Sequence, residues 1–257
     1  MSEKQKKILK RLAVNIGFPL ITVAVLIAAY ETAAALIDES LILPRLKEVL
    51  KEVFRQLTKP TFYKSLGLTL VRAFVSFAAA LAVGGALGIA SYKSRAAEKL
   101  LLPVMTVLRA IPTMAVIFLI VLWFRSGIAP AVVAFTVLMP LSYGRTRSAL
   151  GSLDSMLFEM SKVYEVPKTR VLTKFVLPQI APTMIDGAAD DLSFSVKLVI
   201  AGEALAQTAL GLGGMLSLAN IYLETARLIV VTVLAVVVCF IIESAVRLLL
   251  IPLGRWR

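Results

Sequence analysis

The chain has 257 residues, 59% of them hydrophobic, with a mean hydropathy of +0.87 and a formal net charge of +12. Ordinary soluble domains are ~45–50% apolar, so this excess calls for lipid as solvent and argues against a pair of soluble domains. A single cysteine, Cys239, excludes a disulfide framework within the chain, and the lack of any histidine removes the usual zinc ligand set.

A hydrocarbon core ~30 Å thick needs about 20 apolar helical residues to cross. Six runs of that kind occur, at 12–37, 66–91, 100–124, 128–148, 181–204 and 227–252. The expected fold class is therefore an all-α integral membrane protein with six transmembrane helices. The first run follows a basic stretch and exceeds a signal-peptide core in length, so it is expected to remain as the first span. Basic residues cluster at alternate ends of the runs: Lys4, Lys6, Lys7, Lys10 and Arg11 at the start, then Lys93, Arg95 and Lys99, then Arg145 and Arg147, and finally Arg255 and Arg257. The positive-inside rule then puts both termini and the long polar insert in the cytoplasm. So basic a soluble protein would suggest nucleic-acid binding. Here the charges flank apolar segments, which marks them as topology signals and anionic-lipid contacts, with no nucleic-acid partner.

After the first run, residues 44–59 place Leu46, Val49, Leu50, Val53, Phe54 and Leu57 at helical spacing among charged residues, with Pro44 suited to a first helical position. This predicts an external amphipathic helix, either capping the helix bundle or offering a docking surface. In the third run, Arg109 falls near mid-membrane at ~1.5 Å per residue. Either it pairs with Asp190, Asp191 or Glu203, or it attracts an anionic substrate, because a lone guanidinium there is costly. Pro112 should kink that span.

Between the fourth and fifth runs, residues 152–178 are too long for a simple connection, which takes ~2–8 residues. Leu157, Met160, Tyr164, Leu172 and Phe175 form a greasy set flanked by Lys162, Lys168, Arg170 and Lys174, which predicts a short helical hairpin. The fifth run is interrupted by charge. Asp186, Asp190, Ser193 and Lys197 share one helical face and predict either a lining for a polar path or a subunit interface. Alternatively, Asp186 to Asp191 sit at headgroup level, solvated or paired with Arg145 and Arg147. Glu203 and Lys197 lie deeper. Gly211-Leu-Gly213-Gly214 lacks the strand and helix context of a dinucleotide site and reads as an outer turn, part of an external gate. Glu243 and Arg247, four apart, form a structural helix pair.

The insert carries a specific spacing. Glu159-Met160-Ser161 is followed after three residues by Glu165, after nine more by Phe175, and then by Leu177-Pro178. This resembles the cytoplasmic coupling segment of binding-protein-dependent ABC importer permeases, which reads Glu-Ala-Ala, three residues, Gly, nine residues, Ile, one residue, Leu-Pro. Further matches are similar to the nitrate, sulfonate and taurine branch with its MetI-like fold. They are Leu43-Pro44 with Val49, Arg109-Ala-Ile-Pro112, Leu122-Trp-Phe124, Gly187 with Glu203, and Gly211-Leu-Gly213. The chain departs from the pattern at Met160-Ser161 and at Glu165, where the family has glycine. Glutamate adopts φ > 0 poorly, so Pro167 is expected to supply the break between the two short helices.

The resemblance implies a single permease domain over 1–257 that is not an enzyme and binds no cofactor or metal itself. Two cytosolic ATPase subunits would carry ATP and Mg, and no phosphate-binding Gly-x4-Gly-Lys-Ser/Thr sequence occurs in this chain. It also implies a second permease copy, an external substrate-binding protein, a cytoplasmic (inner) membrane location and a small polar or anionic solute such as nitrate, a sulfonate, taurine or a pyrimidine-type precursor. Glu159, Met160, Ser161, Glu165, Phe175, Leu177 and Pro178 would couple to the ATPase. Arg109, Asp186, Asp190, Ser193, Lys197 and Glu203 would line the translocation path or form internal ion pairs. From composition alone, an ion-coupled secondary transporter or an intramembrane enzyme using the fifth-run carboxylates also remains open.

Overall fold

The structure, a computed structural model, describes residues 3–250, with side chains at positions 18, 21–246 and 248. The basic side chains at Lys4–Arg11, Arg255, Arg257 and the Arg247 partner of Glu243 lie outside the described residues. All regular structure among those described is helical. The chain divides into two compact units, one from the chain up to Thr58 with Ala219–Val230, the other from Lys59–Leu218 and the chain from Val231 onward.

In the first unit, α1 (Glu3–Ile37) turns back into α2 (Leu46–Leu57). The expected amphipathic helix forms, but Pro44 precedes its cap residue Arg45, which is extended (φ −67°, ψ 151°), and does not occupy the first helical position. That role falls to Pro60, which opens α3.

The second unit is built on α3 (Pro60–Lys93), α6 (Ala129–Gly151) and α9 (Leu177–Leu205), which pack against one another. The sequence explains the closeness. Past Phe62, the buried lane of α3 runs Ser65, Thr69, Ala73, Ser76, Ala80, Gly84, Gly88 and Ser91, all small. Small residues let helix backbones approach where lipid offers no hydrophobic drive between helices. At Gly88 an added Cβ would lie 2.8 Å from both the Tyr143 carbonyl oxygen and Thr146 Cβ, so the α3 backbone lies against both backbone and side chain of α6 there. Ser195 Oγ donates to the Ala73 carbonyl at 2.8 Å and ties α9 to the same lane.

The third expected span is two helices. α4 (Arg95–Ala110) and α5 (Thr113–Trp123) meet at a bend of 95°. Pro112 disfavours helix at Ile111, and both residues are extended (ψ 126° and 127°), so the chain leaves the helix and re-enters it.

By length and apolarity, α3 and Thr225–Val246 within α11 (Thr225–Leu250) are long enough to cross a membrane, and α4 with α5 makes a third candidate if counted as one. Helices also stand where the first, fourth and fifth expected spans fall. However, α6 carries Pro140, Arg145 and Arg147, and α9 carries Asp186, Asp190, Asp191, Lys197 and Glu203, which lowers their apolarity. The physical reason is packing. Helices sheathed by other helices need not present hydrocarbon to lipid, and their polar groups find partners inside the unit.

Candidate functional site

Three centres follow from charged residues placed on apolar helices. The first is at the end of α9. Glu203 is fully buried, and Arg72 of α3 donates to its Oε1 at 2.6 Å. Thr69 Oγ1, one turn before Arg72, donates to Oε2 at 2.8 Å and itself accepts from the Leu212 amide at 2.9 Å. The Gly213 amide reaches Oε2 at 3.0 Å. Arg72 also donates to the carbonyl oxygens of Leu210, at 2.9 Å, and Gly127, at 3.1 Å. A buried carboxylate is tolerable only when charge and hydrogen bonds surround it, and here both are supplied. The glycines follow from the same carboxylate. Gly211 adopts φ +150°, and a Cβ there would overlap the Glu203 carboxylate. At Gly213 a Cβ would come 2.6 Å from the Ala204 amide. Gly211–Gly214 are all buried, so this turn is packed against the end of α9 as the lead into α10 (Leu212–Ile221).

The second centre joins α6 to α9. Arg145 grips Asp191 with two hydrogen bonds, one of them from Nη2 to Oδ1 at 3.1 Å, and Asp191 is only 3% exposed. Gly187, one turn earlier on α9, makes the space, because a Cβ there would overlap Arg145 Nε and Cδ. Gly187→Val is therefore expected to destabilise the protein by ~1–3 kcal/mol through overpacking and displacement of the guanidinium. Gly67→Ala, with nothing within 4 Å of the new Cβ, should leave stability unchanged or raised. Equal melting of both variants in detergent would contradict this assignment.

In the third centre, Arg109 at the end of α4 reaches α6. Its Nε donates to the Pro140 carbonyl at 3.0 Å and its Nη2 reaches the Leu141 carbonyl at 3.5 Å, over Gly144, where a Cβ would collide with it. The expectation of a carboxylate partner is corrected for Asp191 and Glu203, which other arginines occupy. Backbone carbonyl oxygens accept the guanidinium's hydrogen bonds instead. Arg147 pairs with Glu98 of α4.

Asp186, Asp190 and Lys197 lie on the exposed side of α9. Ser193, expected among them, is buried at 3% exposure with its hydroxyl unpartnered among the described residues. Glu203, expected to line the path or to form an internal ion pair, forms the pair, with Arg72. Sequence reasoning missed Arg72 and Thr69. The signal was present, since Arg72 is the one cation between Lys64 and Lys93, deep in an apolar helix, and such a charge needs an opposite partner.

The polar insert folds as α7 (Ser155–Val163), a turn, α8 (Lys168–Val171) and a π-helical turn at Leu172–Val176 that runs into α9. Asp154 caps α7 by accepting from the Met156 amide at 2.8 Å. At the other end the Val166 amide bonds the Ser161 carbonyl at 2.9 Å and the Glu165 amide the Lys162 carbonyl at 3.2 Å, a Schellman closure. Its left-handed residue is Glu165 itself (φ 50°), so the bend expected at Pro167 falls at Glu165, and Pro167, extended (ψ 137°), is the cap residue ahead of α8 and not its first helical residue. Glu165→Gly should tighten the turn by up to ~1 kcal/mol, whereas Glu165→Val should loosen it. Slower hydrogen exchange at the Val166 amide in the glycine variant and faster exchange in the valine variant would verify the sign.

Phe158 and Phe175 hold the two arms together edge to face, with ring centroids 5.1 Å apart. Ser161 donates to the Phe158 carbonyl at 2.8 Å, and Pro178 occupies the first turn of α9. Met160, Val163, Tyr164, Leu172 and Leu177 are exposed, with Glu159 and Glu165 beside them. Residues 168–205 are helical without interruption, so the second arm is one body with the helix that carries Asp191 and Glu203.

Residues 80–250 match the family described as binding-protein-dependent transport system inner membrane component. The chain is 25% identical over 241 residues to the putative aliphatic sulfonates transport permease protein SsuC of Bacillus subtilis (strain 168), covering 93% of this chain and 87% of that one. It is 24% identical over 243 residues to the taurine transport system permease protein TauC of Escherichia coli (strain K12), covering 91% and 88%. Its fold is similar to a chain of the inward-facing MetNI methionine ABC transporter, with a TM-score of 0.65 at 21% identity over 77% of this chain and 100% of that one. A match over so much of its length, with relatives in the branch its motifs resemble, makes the chain a transport component and not an enzyme, and it belongs to the family of binding-protein-dependent transport system inner membrane components.

Proposed function

We propose that this chain is the permease of an ATP-driven importer, a single domain of six spans over 1–257 with both termini cytoplasmic and residues 44–59 outside. It passes a small polar or anionic solute of the sulfonate or taurine kind, handed over by an external binding protein. Two copies and two ATPase subunits complete the assembly, with ATP and Mg held by the ATPases. Family membership and the relatives' printed substrates support the class of cargo.

The observation that carries the mechanism is the insert, 152–178. Its apolar residues Met160, Val163 and Tyr164 are exposed on a helix rimmed by Lys162, Lys168 and Arg170, which suits a protein partner and not lipid. Because residues 168–205 form one helical body, force applied to the insert enters α9 directly. Closure of the ATPase pair then pushes the two copies' inserts together and reorients α9, whose exposed lane of Asp186, Asp190 and Lys197 lines the path. Arg145 to Asp191 and Arg72 to Glu203 keep α9, α6 and α3 moving as a unit.

Purification tests this reading. An ATPase should co-isolate with the chain, and uptake of taurine or an alkanesulfonate into proteoliposomes should be sensitive to vanadate. Uptake by the lone chain driven by a pH gradient would overturn it.

A further inference from the structure

One edge of the apolar stripe of α2, Leu50, Phe54 and Leu57, points outward while Leu46, Val49 and Val53 are half-buried, and two polar residues point in. Glu52 and Gln56 are buried, at 9% and 0% exposure, and hydrogen-bonded to each other, whereas Leu50, Phe54 and Leu57 are exposed, Phe54 by 70%. On a helical wheel Leu50, Phe54 and Leu57 span one arc and Lys47 and Lys51 fill the arc next to it, whereas Arg55 lies beyond them beside the buried Glu52, to which its Nη1 donates at 3.2 Å. In water this arrangement is unfavourable, since three large apolar side chains face solvent beside a row of cations.

The depth of α2 is fixed within its own unit. The chain reverses after Ile37 through Asp38 (φ 47°), and Arg45 returns to Asp38 at 2.6 Å. The Leu46 amide, first in α2, then donates to Glu31 Oε2 at 3.0 Å, and Tyr30 donates to the Pro44 carbonyl at 2.7 Å. Glu31 lies six residues before the end of α1, about 9 Å back along the helix at ~1.5 Å per residue. So α2 begins below the end of α1, where an interfacial helix buries its apolar face ~5–10 Å into the headgroup and acyl boundary.

We propose that α2 is an interfacial anchor. Leu50, Phe54 and Leu57 insert among the lipid chains at the bilayer face where α1 ends, and Lys47 and Lys51 contact anionic headgroups. This rests on the reading of α1 as a span. The bilayer is favoured over a protein partner because the cationic arc adjoins the apolar one, the order in which headgroup phosphates adjoin acyl chains, and because the depth is set by α1 itself.

The test uses the full chain with Cys239→Ser, carrying one nitroxide at a time at Phe54→Cys, Lys51→Cys or Val25→Cys, in phosphatidylcholine vesicles with or without phosphatidylglycerol. Collision with oxygen should exceed collision with a soluble nickel chelate at Phe54 and Val25, and the order should reverse at Lys51. Adding phosphatidylglycerol should deepen Phe54, and Lys47→Gln with Lys51→Gln should abolish that deepening. Nickel access at Phe54 with Val25 still oxygen-rich would overturn the anchor and leave the spanning reading in place. Nickel access at Val25 would overturn the span as well. Shielding of Phe54 from both reagents would assign the stripe to a second copy or a binding protein, and no response to phosphatidylglycerol would overturn the headgroup contact.

Discussion

Glu203→Ala is expected to destabilise the permease by ~3–5 kcal/mol, the cost of leaving one member of a buried ion pair alone. The loss extends past the pair. Arg72 would keep only the carbonyls of Leu210 and Gly127, and the Gly213 amide would lose its acceptor inside a buried turn. Glu203→Gln should cost less, because the amide oxygen still accepts from Thr69 or Gly213 and only the charge is lost. A cycle with Arg72→Met separates the pair from its surroundings, and Glu203→Met with Arg72→Met should recover a large part of the loss if the ion pair dominates. Reversible unfolding in micelles measures each value. A change of under ~0.5 kcal/mol in Glu203→Ala would show that the carboxylate is not holding α3, α9 and the Gly211–Gly214 turn together.

The second large effect is functional. Met160→Asp or Tyr164→Asp should weaken association with the ATPase by about 2–4 kcal/mol, roughly 30- to 700-fold, as expected when an apolar anchor is replaced by a charge at the centre of an interface. Both residues are exposed, Met160 at 48% and Tyr164 at 74%, so folding and membrane insertion should match the parent chain. Leu177→Asp with Pro178→Ala, and Glu159→Ala, should abolish vanadate-sensitive uptake while insertion persists. Phe158→Ala discriminates between docking and transmission. Losing its contact with Phe175 should leave the ATPase bound but uncouple hydrolysis from uptake, since the first arm would no longer move the second. Normal uptake in all of these variants would remove the insert from the mechanism.

Local chemistry was readable from the residues alone. Apolar runs marked where long helices stand, Pro112 marked the break that bends α4 from α5, and the spacing from Glu159 to Pro178 marked the insert. Periodicity in 44–59 marked α2. These features depend on neighbours within a few turns, so the order of residue types determines them. The pairings did not follow in the same way. Arg145 and Asp191 are 46 positions apart and Arg72 and Glu203 131 apart, so packing register alone selects Asp191 over Asp190 and Arg72 over Arg109 for Glu203. The match to the family's glycine marked position 165, but propensity argued against a left-handed glutamate, and only the closure by Ser161 and Lys162 holds it there. The sequence alone therefore determined that charges buried in these helices must be neutralised. Tertiary structure decided by which partner, and which face of α2 and α9 stays uncovered, because those outcomes depend on how helices cross and not on what any one of them contains.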